Sequence, residues 1–225
     1  MSSGNTIAVI GDIHGCYNTL TEIYDHIKDI KEIYSVGDLI DRGKYSREVV
    51  EFCREKMIKP VKGNHEDMMI RAVDKSDKLL GFMSKEARHY FSNGGKVTQC
   101  SYIASSAFSD FKKFKHQLKT LGHFEYLKNL PLKYEIDKVV ISHAGIIDGG
   151  NDISILWNRQ QPAFLDQLQI FGHTPLKEMF YVKNYYSNID TGCVYKNKLT
   201  SVIVDSIAGK IIDKIQINCN EIDVG

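Results

Sequence analysis

At residues 36–43 the sequence reads Val36-Gly37-Asp38-Leu39-Ile40-Asp41-Arg42-Gly43, which places two carboxylates and a guanidinium in one turn directly after an apolar run at residues 33–36. Such a run is typical of a buried β-strand. An ionised carboxylate beside a low-dielectric core is costly unless a cation or hydrogen-bond donors compensate it. A bound metal ion is therefore our hypothesis for Asp38, although Asp and Gly are also ordinary turn residues.

Four further apolar runs end in turns of the same chemical type. These turns read Gly11-Asp12-Ile13-His14-Gly15, Gly63-Asn64-His65-Glu66, Ser142-His143-Ala144-Gly145 and Gly172-His173-Thr174-Pro175. In open α/β sheets, ligands bind at the carboxyl ends of the strands, so we expect the five turns to converge on one crevice. The side chains that they offer to a metal are Asp12, His14, Asp38, Asn64, His143 and His173.

The order of the predicted elements indicates the fold. Apolar residues at helical spacing predict helices at about 18–29 and 46–56, between strands, as in right-handed β-α-β units. Residues 185–189, 199–205 and 210–217 predict three strands of an antiparallel meander. We expect an α/β fold in which two packed mixed β-sheets form a β-sandwich flanked by helices, with the meander making up much of the second sheet.

The chain of 225 residues is expected to form a single catalytic domain over residues 1–225, with a helical insertion at about 67–137 and a flexible turn at Asn93-Gly94-Gly95. The formal net charge of +1 and the absence of a basic block argue against nucleic acid as a partner. No apolar run approaches membrane-spanning length, so we expect no membrane association.

Cysteine usage indicates the compartment. The five cysteines are scattered without a C-x-x-C pair, which favours reduced thiols and a cytoplasmic location over a disulfide framework. Cys16 follows the first of the five turns directly. It is expected to be a reduced, partly buried thiol, and a redox-sensing role remains open for it.

The six candidate ligands are oxygen and imidazole groups without a thiolate. This set suits manganese, iron or zinc better than calcium or magnesium. Six ligands can hold two ions if one carboxylate is shared between the ions. Two ions roughly 3.5 to 4 Å apart can bridge a water molecule, lower its pKa and clamp a phosphoryl group for in-line attack. The pattern predicts hydrolysis of phosphate esters without a phosphoenzyme.

The five turns, in this order, resemble the signature of the phosphoprotein phosphatase branch of the calcineurin-like metallophosphoesterases. The resemblance is closest to the small bacterial and lambda-phage type serine/threonine phosphatases, and it extends from residue 7 to about residue 199. It implies the metallophosphoesterase fold. The insertion and the final strands match only loosely.

The resemblance also implies individual roles. Asp12 and His14 would hold the first metal, Asp38 would bridge, and the second metal would be completed by Asn64, His143 and His173. His65 would protonate the leaving oxygen and Asp41 would orient its imidazole, while a structural hydrogen bond is the alternative for His65. Arg42 would grip phosphate oxygens, and Arg159 would be a second clamp unless it forms a surface ion pair.

The function expected from this resemblance is that of a metal-dependent phosphomonoesterase, specifically a serine/threonine protein phosphatase that uses a metal-bridging hydroxide. Its cofactors would be two divalent ions, manganese first and iron or zinc as alternatives, and its substrate a phosphorylated protein or a small phosphoester. The alternative is a symmetric bis(5'-nucleosyl)-tetraphosphatase, which a chain of 225 residues disfavours because such hydrolases tend to be longer. A catalytically inactive binding module is disfavoured because no ligand, acid or clamp is missing.

Overall fold

Two mixed β-sheets form the centre of the computed structural model, which describes residues 5–75 and 83–225. In chain order the strands are β1 (Thr6–Ile10), β2 (Glu32–Ser35), β3 (Lys59–Pro60), β4 (Lys133–Ile136), β5 (Val139–Ser142), β6 (Leu168–Phe171), β7 (Phe180–Val182), β8 (Tyr186–Asn188), β9 (Lys198–Asp205) and β10 (Lys210–Asn218). The first sheet has the order β10-β9-β1-β2-β3 and the second the order β4-β5-β6-β8-β7. The predicted fold class is therefore confirmed.

Helices cover the sheets. They are α1 (Tyr17–Ile27), α2 (Ser46–Glu55), α3 (Asn64–Lys75), α4 (Lys85–Tyr90), α5 (Lys96–Ile103), α6 (Phe111–Thr120), α7 (His123–Lys128) and α8 (Ser154–Trp157). Helix α1 connects the parallel strands β1 and β2, and α2 precedes β3, which is parallel to β2. Within the described ranges, none of the helices has both the length and the apolar character that crossing a bilayer requires.

The core explains why β1 is a continuous apolar run. Ile7 and Val9 belong to the hydrophobic cluster that also contains Ile141 and Ile170 of the second sheet, whereas Ile10 faces the cluster beneath the helices. Successive side chains of a strand point to opposite faces, so a strand covered on both faces needs apolar residues at every position. β1 is such a strand, and it is held between β2 and β9.

The predicted meander is wrong. β9 and β10 form an antiparallel hairpin, but β9 pairs with β1 in the first sheet, while β8 lies between β6 and β7 in the second. Six consecutive residues of β9 are buried, which suits a strand with a neighbour on each side. Residue periodicity shows that a segment is a strand, but it does not show which strand lies beside it, and here the chain changes sheets between β8 and β9.

The segment predicted as a helical insertion contains α4 to α7 and also the strand β4, which pairs with β5 at the edge of the second sheet. Residues 76–82 of this segment lie outside the described residues. The turn predicted at Asn93-Gly94-Gly95 lies in a π-helical segment, Phe91–Gly95, with a kink at Gly94 where φ is 109°. A β-carbon at Gly94 would lie 2.9 Å from Arg42 Cγ, so the kink packs against one of the predicted site residues.

Glu66 joins the turn after β2 to the start of α3. Its Oε2 accepts hydrogen bonds from the backbone amides of Gly63 (2.8 Å) and Asp38 (3.0 Å), and its Oε1 accepts one from the amide of Leu39 (2.9 Å). The side chain is fully buried. The sequence motif contained Glu66 without suggesting a role, and the structure shows that it holds two of the predicted site turns together.

Glu66→Gln should destabilise the protein by about 1–3 kcal/mol. The NH2 group of the glutamine replaces one carboxylate oxygen and cannot accept a hydrogen bond, so at least one buried backbone N–H loses its acceptor. Urea unfolding of the variant and the parent measures the difference. The matched control is Glu55→Gln at an exposed position of α2, where we expect a change within about 0.5 kcal/mol. Equal stability of the two variants would contradict the anchoring role.

Candidate active site

The turns that carry the predicted site residues are held in an unusual backbone conformation. His14, Asp38, Asp41, Arg42 and His173 have positive φ angles of 46°, 50°, 74°, 71° and 70°. Left-handed backbone conformations of non-glycine residues cost on the order of 1 kcal/mol each and cluster at functional sites. The turns are therefore shaped to aim particular side chains at the cost of local strain.

The structure brings the six candidate metal ligands together. Asp38 lies in the middle: its Oδ2 is 3.4 Å from His14 Nε2 and its Oδ1 is 3.5 Å from His143 Nε2. On one side of Asp38, Asn64 Oδ1 lies 2.8 Å from His143 Nε2 and 3.0 Å from His173 Nδ1. All of these side chains are buried.

Asp12 reaches the same centre from β1. Its carboxylate oxygens accept the backbone N–H of His173 at 3.1 and 3.3 Å, which ties the first sheet to the second. The neighbouring Gly172 permits this approach, because a β-carbon there would collide with Asp12 Oδ1. The carboxyl ends of strands from both sheets thus meet at one place.

Hydrogen bonds determine which imidazole nitrogens face the centre. His14 Nδ1 donates to the carbonyl of Ile40, and His143 Nδ1 donates to the carbonyl of Val36, each at 2.8 Å. Burial lowers the pKa of both imidazoles below the usual value, so the inward Nε2 atoms carry lone pairs. His143 Nε2 and Asn64 Oδ1 lie 2.8 Å apart, and their lone pairs face each other. A cation between or beside them would stabilise this arrangement.

The negative charge of the buried carboxylates also suits the binding of cations at this centre. Burial, followed by the nearby carboxylates of Asp190 and Asp38, raises the pKa of Asp12 well above its usual value. Burial also raises the pKa of Asp190, to about 7. Three carboxylates crowded in a buried place repel one another, and divalent cations would offset that repulsion. The oxygen and nitrogen donors present suit such ions.

Sequence reasoning missed Asp190. It lies two residues beyond the end of β8, and its Oδ1 accepts the backbone N–H of Gly192 at 3.0 Å. The strand-end rule that identified the other five turns would have identified this one too. The predicted meander hides it, because a carboxylate after a meander strand has no reason to face the site.

His65 and Asp41 form a buried pair beside the centre. His65 Nδ1 lies 2.6 Å from Asp41 Oδ2, and His65 Nε2 points towards Asp38 Oδ2 at 3.9 Å. Burial lowers the pKa of His65, but the charges of Asp38 and Asp41 outweigh it and leave a net upward shift. Ligand-type atoms of His14, Asp38 and His65 all lie within 4.8 Å of one another, so His65 also has the geometry of a metal ligand.

Asp41 is itself held by residues that sequence reasoning missed. Thr98 of α5 donates to Asp41 Oδ1 at 2.5 Å, and the backbone N–H of Asp41 donates to Thr98 Oγ1 at 2.9 Å and to Ser46 Oγ at 3.1 Å. No local signal marks Thr98, because it lies 57 residues from Asp41 in the chain. The segment after α3 therefore supports the site.

The two predicted arginine clamps lie at the edge of the centre. Arg42 Nη1 donates to His14 Nε2 at 2.6 Å, and Arg159 Nε donates to His173 Nε2 at 3.5 Å. Arg42 is half-buried, whereas Arg159 is exposed. In this structure both guanidinium groups contact candidate metal ligands, so gripping a phosphate would require each to turn its fork away from the imidazole.

Comparison with known proteins places the chain in a family. Residues 6–200 match the model of the calcineurin-like phosphoesterase family. The asymmetrical bis(5'-nucleosyl)-tetraphosphatase PrpE of Anoxybacillus flavithermus is 27% identical, with 86% of this chain and 88% of that protein covered. Serine/threonine-protein phosphatase 1 of Salmonella typhimurium is 29% identical, with 85% and 88% covered.

The fold is shared with solved structures at lower identity. The metallophosphoesterase from Sphaerobacter thermophilus superposes with a TM-score of 0.60 over 96% of this chain and 89% of that one, and the two sequences are 16% identical. The family model covers most of the chain and includes all five predicted turns. The family uses divalent metals, and the described residues include His and Asp groups placed to bind them. The chain belongs to the calcineurin-like phosphoesterase family and is a hydrolase of the metallophosphoesterase superfamily.

Proposed function

We propose that this protein hydrolyses phosphoesters with two divalent ions, manganese first among the candidates. The first ion would be held by Asp12 and His14, the second by Asn64, His143 and His173, and Asp38 would contact both. The convergence of neutral imidazole and carboxylate donors on Asp38 supports this assignment. Two bound ions supply an activated water and neutralise charge on the phosphoryl group.

The protein's own residues would complete the reaction. His65 would give a proton to the leaving oxygen, because its Nδ1 is fixed by Asp41 and its Nε2 faces the centre. The hydrogen bonds from Thr98 and Ser46 keep Asp41 in place for this purpose. Arg42 and Arg159 would hold phosphate oxygens from two sides, since a guanidinium keeps its charge at any pH used.

Chain length does not discriminate between the two substrate classes considered from the sequence. The tetraphosphatase and the serine/threonine phosphatase named above are each covered over 88% of their length. A tetraphosphatase of this family therefore need not be much longer than this chain. The choice depends on what surrounds the metal centre.

Exposed aromatic side chains stand on both sides of the centre. Trp157 packs edge-on to His173, with ring centroids 5.9 Å apart, and Tyr195 lies beneath the Arg42 guanidinium, 5.6 Å from ring centroid to Cζ. Their exposed fractions are 36% and 57%. Aromatic faces beside a phosphate site are suited to stacking nucleobases, at about 1–3 kcal/mol per base.

Each aromatic residue borders a pocket. Trp157 lines one of about 250 Å³ together with His89, Arg71 and Lys85. Tyr195 lines a second pocket of about 560 Å³, whose lining also includes Lys177 and Asn197. A substrate with a base at each end and a polyphosphate between them would use both pockets and the metal centre at once.

We therefore place dinucleoside tetraphosphates first among the substrates, and the paired aromatic residues are the observation that carries this choice. The cleavage would be asymmetrical, as in the name of the PrpE relative: water would break the phosphoanhydride bond between the first and second phosphates of diadenosine tetraphosphate and release AMP and ATP. A serine/threonine phosphoprotein is the second candidate. The 29% identity to serine/threonine-protein phosphatase 1 of Salmonella typhimurium supports this second candidate.

His65→Asn should leave two metal ions bound and slow turnover by about a hundredfold or more, because the variant keeps all six candidate ligands but has lost the proton donor. Metal content by mass spectrometry and turnover of phenyl phosphate, whose phenolate leaving group needs a proton more than p-nitrophenolate does, check this. Loss of an ion from His65→Asn would show that the imidazole is a ligand instead. The control His89→Asn, at the exposed pocket wall, should keep both the metal content and the turnover of this small substrate.

The substrate choice is tested by comparing diadenosine tetraphosphate with a phosphoserine peptide at equal concentration. We expect faster cleavage of the dinucleotide, with ATP and AMP as products. Two molecules of ADP would show symmetrical cleavage, and faster release of phosphate from the peptide would reverse the order of the two substrates.

Variants at the aromatic residues sharpen this test. Trp157→Ala and Tyr195→Ala should each raise KM for the dinucleotide about tenfold, the effect of losing one base-stacking contact, while kcat/KM for p-nitrophenyl phosphate stays near the parent value. Phe180→Ala is the matched control, because Phe180 is an exposed aromatic residue, 51% accessible, on the edge strand β7. Equal effects of all three variants on the dinucleotide would contradict the stacking role.

A further inference from the structure

A cluster of three thiols shares no side chain with the oxygen and imidazole donors of the centre, although Cys16 Sγ contacts the backbone carbonyl of His14 at 3.7 Å. It consists of Cys16, Cys193 and Cys219, whose sulfur atoms all lie within 4.8 Å of one another. The three residues come from distant parts of the chain: Cys16 precedes α1, Cys193 begins a short 3-10 turn after β8, and Cys219 follows β10 directly. Folding therefore brings them together.

The sulfurs lie close enough together to reach one metal ion after a small shift. With zinc–sulfur bonds of about 2.3 Å, the sulfurs around one zinc ion lie about 3.8 to 4.0 Å apart. Thiolates select zinc and copper(I) over harder cations. Zinc bound by three protein ligands keeps a fourth position for water or another exogenous ligand.

Burial leaves one open side for that position. Cys16 and Cys193 are 0% and 1% exposed, whereas Cys219 is partly exposed. Cys16 Sγ donates a hydrogen bond to the carbonyl of His14 at 3.7 Å, and Cys219 Sγ donates one to the carbonyl of Asn220 at 3.5 Å. An entering cation would meet the partly exposed sulfur of Cys219 first.

The backbone around the cluster is held in place. The amide of Cys219 donates to the carbonyl of Asn197 at 2.7 Å, and the amide of Asn220 donates to Thr19 Oγ1 at 2.9 Å. Thr19 in turn donates to the Asp223 carboxylate at 2.7 Å. These bonds connect the C-terminal segment to the start of α1, so little rearrangement is needed for three sulfurs to reach one ion.

We propose that Cys16, Cys193 and Cys219 form a separate zinc site that binds one Zn²⁺ through three thiolates. Binding would release the thiol protons to solvent and involve no change of oxidation state. The ion would tie the C-terminal segment to the two turns that carry His14 and Asp190. Its role would be to hold these segments together, with water in the fourth position, because the thiolates lie outside the donor set of the catalytic centre.

Cobalt substitution tests the proposal on the reduced, full-length protein. Cobalt(II) added to metal-free protein should produce a sulfur-to-cobalt charge-transfer band in the near ultraviolet. The nitrogen and oxygen donors of the catalytic centre cannot give this band, so the result is independent of the proposed function. Cys219→Ser should lose most of the band, and the control Cys100→Ser, at an exposed and isolated thiol, should keep it.

Zinc content gives a second measurement. After dialysis against a weak chelator, the parent protein and Cys100→Ser should each retain one more zinc per chain than Cys219→Ser. Absence of the charge-transfer band in the parent protein, or a band of equal strength in Cys219→Ser, would overturn the zinc site. Three free thiols instead of five in denatured, chelator-treated protein purified without reductant would assign the cluster to a disulfide and would also overturn it.

Discussion

The structure depends on the burial of carboxylates at the carboxyl ends of its central strands. Asp12 and Asp38 lie within a few per cent of complete burial, beside a core that cannot solvate them. Uncompensated charges there would be costly, so the surroundings supply donors: the His65 amide to Asp38 and the His173 amide to Asp12. Neutral imidazoles then turn their lone pairs inward, and the whole arrangement becomes complementary to cations.

This constraint explains the irregular features around the site. The positive φ angles of the turns, the absence of a β-carbon at Gly172 and the three hydrogen bonds to Glu66 all bring backbone and ligand atoms closer than regular turns allow. Helix α5 contributes through Thr98, which fixes Asp41 and through it His65. The residues around the donors therefore supply much of the orientation that the proposed chemistry needs.

Much of the fold and of the site could be predicted from the sequence, because both are encoded locally. Apolar runs that end in Asp, Asn or His mark strand ends, and parallel strands bring those ends to one edge. Asp190 was missed although it obeys the same rule, since its strand was paired incorrectly. Thr98 and the Cys16 cluster could not be predicted, because their partners are distant in the chain and sequence periodicity carries no information on such contacts.

We propose that the substrate is selected by a different part of the molecule from the part that performs the chemistry. The donors around Asp38 suit any phosphoester, whereas Trp157 and Tyr195 at the two sides of the centre would determine what is attached to the phosphate. Relatives named for nucleotide and for protein substrates align over similar shares of their length.

We propose that six buried side chains hold two ions, with Asp38 between them. Anomalous diffraction from crystals grown with manganese would locate the ions. Two anomalous peaks about 3.5 to 4 Å apart are expected, one beside His14 and one beside His143, with the Asp38 carboxylate contacting both. A single peak, or two peaks that do not share Asp38, would contradict this proposal.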